Sequence, residues 1–365
     1  MGRVVMVTGV SRYLGGRFTQ LLQADPDISR VIGVDVVPPK QDLGDAEFVR
    51  ADIRNPVIGK VIAQADVDTV VHMAVIATPV GAGGRAMMKE INVIGTMQLL
   101  AACQKAPSVR KLVVKSSSAV YGSSPNDPAL FTEDTEPKAM ARTGYAKDSV
   151  EVEGYVRGFA RRRPDVKVTT LRFANFVGPR VQTPLSAYFS LPVVPTVLGF
   201  DPRLQFVHER DGIEVLWRTT LEDHPGTFNV AGEGVMTLSQ AIHRAGRPVL
   251  PLPHPAAPWI GQVLRRLGVA DFSPEQIRFL SYGRVLDTTR MRDVLGFTPR
   301  YTTREAFDDF VREQGLRGLL SPDTVSAVER RLLDVLASGG SDHADVRSRD
   351  DAHVRSRGPE EHVDA

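Results

Sequence analysis

Up to Phe173 the chain alternates short β-branched runs with helical stretches, and this alternation constrains its fold more than any other feature. Strand-like runs fall at Arg3–Thr8, Arg30–Asp35, Glu47–Asp52, Asp68–Met73, Val109–Ser117 and Val166–Phe173. They are largely continuous apolar runs, not an alternation of apolar and polar residues, which suits strands buried on both faces of a parallel sheet. Helical patterns separate them at Leu14–Ala24, Pro56–Ala65, Arg85–Lys105 and Tyr145–Arg163. Pro26 marks the end of the first helix. Pro56 opens the second, at a position where its missing N–H is an orphan anyway. Strand–helix alternation of this kind predicts an α/β fold: a doubly wound parallel sheet with right-handed crossovers.

Past Gly178 prolines become frequent and the helical segments shorten. Residues 178–330 read as a smaller, mostly helical substrate lobe, interleaved with the first domain at residues 1–177. Short segments near 205–208 and 227–230 are expected to complete the sheet. Residues 338–365 are rich in Gly, Ser, Asp and Arg and read as a disordered tail. Its histidines, His343, His353 and His362, read as solvated residues and not as metal ligands, and no metal site is expected.

Charge excludes some partners. With 45 basic and 43 acidic residues the formal net charge is +2, without the basic excess of a dedicated nucleic-acid binder. The single cysteine, Cys103, allows no intrachain disulfide and fits a reducing cytoplasm. No window holds 18 apolar residues in a row. The most apolar stretch, Ala187–Phe200, contains Pro192 and Pro195 and so does not read as a membrane span. The N-terminal residues read as a strand and not as a signal peptide.

The first chemical signal is Thr8-Gly9-Val10-Ser11-Arg12-Tyr13-Leu14-Gly15, which follows a strand and opens a helix. Such a turn brings backbone N–H groups and a helix N-terminus onto a diphosphate. Asp35 ends the second strand 20 residues after Gly15. A carboxylate there can accept hydrogen bonds from both adenosine ribose hydroxyls. It would also repel a 2′-phosphate, so these residues favour NAD over NADP as cofactor and a Rossmann-type domain. The alternative is a structural turn with a surface Asp.

From about residue 3 to 310 the chain resembles the extended short-chain dehydrogenase/reductase superfamily, in particular the NAD-dependent epimerase/dehydratase family that includes UDP-glucose 4-epimerases. Several motifs match in chain order. Asp52-Ile53 matches a pair that the family places beside the adenine. Val71-His72-Met73-Ala74 resembles a strand end that lies along the cofactor. Asn92-Val93-Ile94-Gly95-Thr96 matches a motif whose Asn steadies the sheet and the active-site backbone. Ser116-Ser117-Ser118-Ala119-Val120-Tyr121-Gly122 and Leu171-Arg172-Phe173-Ala174-Asn175 match two more, and Asp287-Thr288-Thr289-Arg290 with Leu295-Gly296-Phe297 resembles the closing one.

The resemblance implies cofactor contacts at Thr8, Gly9, Arg12, Tyr13, Leu14, Gly15, Asp35, Asp52, Ile53, Met73, Ala74, Asn92 and Phe173. It implies a nucleotide-sugar substrate with contacts at Ser118, Asn175 and Arg203, and a homodimer built on the helices at Arg85–Lys105 and Tyr145–Arg163. In this family a Tyr takes a sugar hydroxyl proton while NAD takes the hydride. That Tyr must ionise well below its usual pKa of about 10. By position Tyr145 is that acid/base and Ser117 the hydroxyl that holds the reacting oxygen. A core aromatic and a turn serine are the plain structural readings of the two.

Two departures stand out. The family pattern Tyr-x-x-x-Lys would place a lysine at position 149, which is Ser149 here. Lys147 is two residues after Tyr145, about 200° around a helix from it. Lys115 lies two residues before Ser117 on the same side of its strand. Both are candidate replacements. Second, Arg12 occupies the position of a glycine in the phosphate turn, where it either crowds the phosphates or pairs with them or with the adenosine ribose. Two functions therefore stay open: an NAD-dependent epimerase, dehydratase or reductase of a nucleotide sugar, or an NAD(H)-binding sensor or partner protein with little or no turnover.

Overall fold

The structure is a computed structural model. It describes residues 2–77, 83–136, 144–253 and 273–316. The tail expected at 338–365, and the parts of the lobe expected at 178–330 that fall outside these ranges, lie outside the described residues.

Seven strands form one parallel sheet: β1 (Arg3–Thr8), β2 (Ile28–Asp35), β3 (Glu47–Arg50), β4 (Thr69–His72), β5 (Lys111–Ser117), β6 (Lys167–Phe173) and, later in the chain, β11 (Gly226–Val230). Their order is β11-β6-β5-β4-β1-β2-β3. The order reverses at β1, and the crevice beyond the strand ends there is where an open α/β sheet binds its ligand. Val5, Val7, Val70, Val71, Leu112, Val113 and Val114 are all fully buried, because helices cover both faces of the sheet. Helices α1 (Tyr13–Gln23), α2 (Val57–Gln64), α3 (Arg85–Lys89), α4 (Thr96–Lys105) and α5 (Gly144–Arg162) follow the sequence expectation closely. The long helix expected from Arg85 is divided: a wide π turn at Glu90–Gly95 separates α3 from α4.

The remaining strands are short: β7 (Asn175–Val177), β8 (Val194–Val197), β9 (Arg203–Leu204), β10 (Phe206–His208), β12 (Met236–Thr237) and β13 (Val249–Leu252). Here the structure corrects one expectation. The segment near 205–208 does not complete the large sheet. Both edges of β6 are taken, by β5 and by β11, so β10 pairs instead with β7 in a separate two-stranded ribbon.

The later helices are α6 (Pro184–Phe189), α7 (Glu209–Leu221), α8 (Leu238–Arg244), α9 (Pro274–Tyr282), α10 (Thr289–Asp293) and α11 (Thr303–Glu313). Several start on built caps. The Thr183, Thr237 and Thr302 side chains each accept from the backbone three residues on, and the residue there returns the bond. Tyr188, Phe189, Phe206, Phe307 and Phe310 form a separate aromatic core for the lobe. Among the described residues no helix is long and apolar enough to cross a membrane.

Candidate active site

The site forms where the ends of β1, β4 and β5 meet the start of α5. Gly9 takes a left-handed φ of 85°. A Cβ on it would lie 3.0 Å from the backbone of Met73 and Ala74, and one on Gly15 would lie 2.2 Å from the Gly9 carbonyl. Only glycine allows this turn to sit flush on the end of β4, with α1 starting directly against it. No side chain caps the start of α1, so its first N–H groups are left for a bound anion. Thr8 anchors the turn from below: its Oγ1 is 2.8 Å from His72 Nδ1 and accepts from the Met73 N–H at 3.2 Å. His72 is fully buried and its pKa falls to about 4, first through burial and then through the charge of Lys115. Leu14 packs into the core beneath the turn.

The Asp35 carboxylate reaches the same turn. It accepts from the Ser11 N–H at 3.0 Å, from Ser11 Oγ at 2.5 Å and from the Val36 N–H at 2.8 Å. These residues fit a dinucleotide: a glycine turn, an uncapped helix start and a fixed carboxylate at the end of β2. The Tyr13 hydroxyl turns elsewhere. It donates to Glu209 at 2.8 Å, and burial with that bond pushes its pKa up to about 12. Asp52 is held by Arg54, whose guanidinium donates to both of its oxygens, and Ile53 is buried beneath Gly95.

Asn92 sits inside the π turn, a distortion that often marks a working site. Its amide grips the backbone of Ile76, donating to the carbonyl at 2.9 Å and accepting from the N–H at 2.7 Å. It also donates to Asp148, in the second turn of α5, at 3.3 Å. Arg85 donates to both Asp148 oxygens, at 2.7 and 2.6 Å. The segment after β4 is thereby fixed against the helix that carries Tyr145.

Tyr145 stands in the first turn of α5 with Ser149 one turn on, and Ser117, ending β5, accepts from the Ala119 N–H at 3.2 Å. Burial raises the Tyr145 pKa. The two serines and the guanidinium groups of Arg12 and Arg284 offset this only in part, so the phenol stays above its ordinary value. Ser149 also donates to the Tyr145 carbonyl at 2.9 Å, the back-bond that serine makes within a helix.

The two lysine candidates divide. Lys147 is not brought to the site: its ammonium lies 3.8 Å from Glu151 on the solvent side of α5, as the 200° offset requires. Lys115 is brought there. It shares a face of β5 with Ser117, and its Nζ lies 5.5 Å from the centre of the Phe176 ring. Burial, then the charge of Arg12, lowers its pKa to about 8. Phe173 stacks on Phe176 with ring centres 4.8 Å apart. Arg12 thus acts on Asp35, on Tyr145 and on Lys115. The sequence pointed it only toward phosphate or ribose.

Substrate candidates are scattered. Ser118 is buried and accepts from Arg284 Nη1 at 3.1 Å. Asn175 opens β7 beside Phe206. Arg203 turns its exposed side chain to the Ala129 carbonyl, 3.2 Å away.

Sequence reasoning missed Glu275, and met Tyr282-Gly283-Arg284 only as the nearest feature to a family R-x-G-D anchor that this chain lacks. Arg284, just past α9, donates to the Gly122 carbonyl, Ser118 Oγ and Ser123 Oγ. Glu275, in the first turn of α9, accepts from the Ala146 N–H at 3.2 Å and so caps the helix of Tyr145 from another part of the chain. Gly144 makes room for it, since a Cβ there would lie 2.1 Å from a Glu275 oxygen.

The glycine turn and the Asp35 carboxylate together fit a nicotinamide dinucleotide on a doubly wound sheet. Residues 5–231 match the NAD dependent epimerase/dehydratase family, and the chain belongs to that family. An uncharacterized protein of Mycobacterium tuberculosis (strain ATCC 25618 / H37Rv) is 50% identical over 93% of this chain and 91% of its own length. Among solved structures, the UDP-glucose 4-epimerase of Thermotoga maritima with UDP-glucose is 20% identical, with a TM-score of 0.66 over 86% of this chain and 98% of that one. The dTDP-glucose 4,6-dehydratase of Bacillus anthracis in complex with NAD is 18% identical, with a TM-score of 0.66 over 87% of this chain and 97% of that one. At these identities the two structures establish the fold alone.

Proposed function

We propose that the chain is an NAD-dependent epimerase or dehydratase of a nucleotide sugar, with Tyr145 as the acid/base. The observation that carries this reading is the set of groups at the strand ends: a glycine turn with the Asp35 carboxylate fixed against it, Ser117 ending β5 and Tyr145 at the start of α5, in a chain of the epimerase/dehydratase family. NAD bound along the glycine turn supplies the hydride acceptor. Ser117 orients the reacting hydroxyl. Arg12 and Arg284 favour the phenolate and so do part of what the lysine at position 149 would do. Lys115 adds positive charge on the face of β5 that carries Ser117. Asp35 would hold the adenosine ribose of bound NAD, and Arg12 would pair with its diphosphate. The reading includes a cytoplasmic homodimer, supported by exposed Met87, Ile94 and Tyr155 on α3, the π turn and α5.

The test is turnover of UDP- and dTDP-linked sugars by the NAD-loaded protein. Tyr145→Phe is expected to lower kcat by roughly 10²–10⁴-fold, the usual worth of a positioned acid/base, with NAD affinity unchanged. Unchanged turnover in that variant overturns the assignment. Ser149 favours a second reading, an NAD(H)-binding protein with little turnover. On that reading the wild type binds NAD(H) but converts no nucleotide sugar, and activity emerges with Ser149→Lys.

A further inference from the structure

The guanidinium of Arg284 stands at the reacting end of the site without an anionic partner. Its three hydrogen bonds go to neutral acceptors: the Gly122 carbonyl at 2.8 Å, Ser118 Oγ at 3.1 Å and Ser123 Oγ at 3.1 Å. Its face lies over Phe279, 5.2 Å from the ring centre. Among the described residues it makes no ion pair within 4.0 Å. The carboxylates that act on it from further away are already engaged. Asp127 accepts from Ser124, and Glu275 caps α5 through Oε2, its other oxygen lying buried without a hydrogen-bond partner and more than 4.0 Å from Arg284. A guanidinium presents five donors in a planar fork, so two remain. Arg284 is half-buried, and leaving a partly desolvated cation without an anion carries a cost that is recovered when a ligand supplies the anion.

Its position says which part of a ligand that is. Ser118 directly follows Ser117, and the same guanidinium is one of the two that act on the Tyr145 oxygen. It therefore faces the carbon being oxidised or deprotonated, not the far end of the nucleotide. Arg12, at the glycine turn, is placed to neutralise the cofactor diphosphate, which leaves Arg284 for the substrate. We propose that the sugar acted on here carries a carboxylate, as a nucleotide-linked uronic acid does, and that Arg284 receives it in a two-pronged ion pair beside Tyr145. The inference rests on the nucleotide-sugar reading above and narrows it to an anionic sugar.

Binding of UDP, UDP-glucose and UDP-glucuronic acid to the NAD-loaded protein, by calorimetry, separates the possibilities. A charge-assisted pair of this kind should favour UDP-glucuronic acid over UDP-glucose by about ten- to a hundredfold. Arg284→Gln should erase that preference, while Arg284→Lys should keep part of it. The wild-type comparison needs no variant, so a folding defect in either one cannot mask the result. Equal affinity for the two sugars overturns the proposal and leaves the nucleotide-sugar reading standing. If Arg284→Gln weakens UDP as much as the sugars, the guanidinium holds the nucleotide diphosphate instead, and the proposal fails. If none of the three binds, the nucleotide-sugar reading falls and the proposal with it.

Discussion

Arg172→Met tests how the helix of Tyr145 is held. Arg172 lies on β6 and Glu153 on α5, and their side chains are 11% and 4% exposed. Arg172 donates to Glu153 through Nε at 3.0 Å and Nη2 at 2.7 Å. Through Nη1 it also reaches the Tyr121 hydroxyl at 2.9 Å and the Glu133 carbonyl at 2.8 Å. Ser116, on β5, donates to the same Glu153 carboxylate at 2.6 Å. Methionine would keep most of the volume and remove every one of the arginine's bonds. Glu153 would be left buried with Ser116 and, at 3.7 Å, the exposed Arg157. Removing one partner of a buried pair costs about 3–5 kcal/mol. At roughly 2 °C per kcal/mol for a chain of this size, the melting point should fall by about 6–10 °C. Glu153 is two helical turns from Tyr145 on the same face, so kcat should fall with stability.

The companion variant is Arg172→Met with Glu153→Leu. Replacing both ions with apolar groups is often close to neutral, so the pair should recover most of the loss. Thermal and urea unfolding followed by circular dichroism read both. A single variant melting within about 1 °C of wild type, or a double variant costing the sum of the two singles, would refute the reasoning.

Two more outcomes follow from the site. The folded-state pKa of His72, about 4, lies below its unfolded value near 6.5. The unfolded chain therefore takes up a proton that the native state refuses, and stability should fall as pH drops from about 6.5 toward 4, by up to about 1.4 kcal/mol per unit. His72→Gln should flatten that slope in urea titrations at pH 7, 5.5 and 4.5, and an unchanged slope would exclude His72 as its source. Arg12 lowers the Tyr145 pKa, so Arg12→Gln should move the alkaline-rising limb of the kcat profile to higher pH. A profile that stays in place would show that Arg12 serves the cofactor alone.

What the sequence determined is local. Continuous β-branched runs such as Val4–Val7 and Leu112–Val114 mark strands because such side chains pack well on a pleated surface buried on both faces. Gly9, Gly15 and Asp35 place the cofactor turn because a tight βα turn and its ribose carboxylate lie at a fixed distance along one βαβ unit. Ser117 and Tyr145, the proposed reacting pair, match family motifs, and helical geometry turns Lys147 away from Tyr145. Tertiary structure decided the rest, since it depends on contacts between segments far apart in the chain. Which strand pairs Phe206–His208 depends on which edges of β6 are already occupied. Arg284 meets Ser118, 166 residues earlier, and Glu275 caps a helix 129 residues before it. No spacing rule links such residues. Chain closure brings them together, and charge and burial then give them a role that their neighbours in sequence do not disclose.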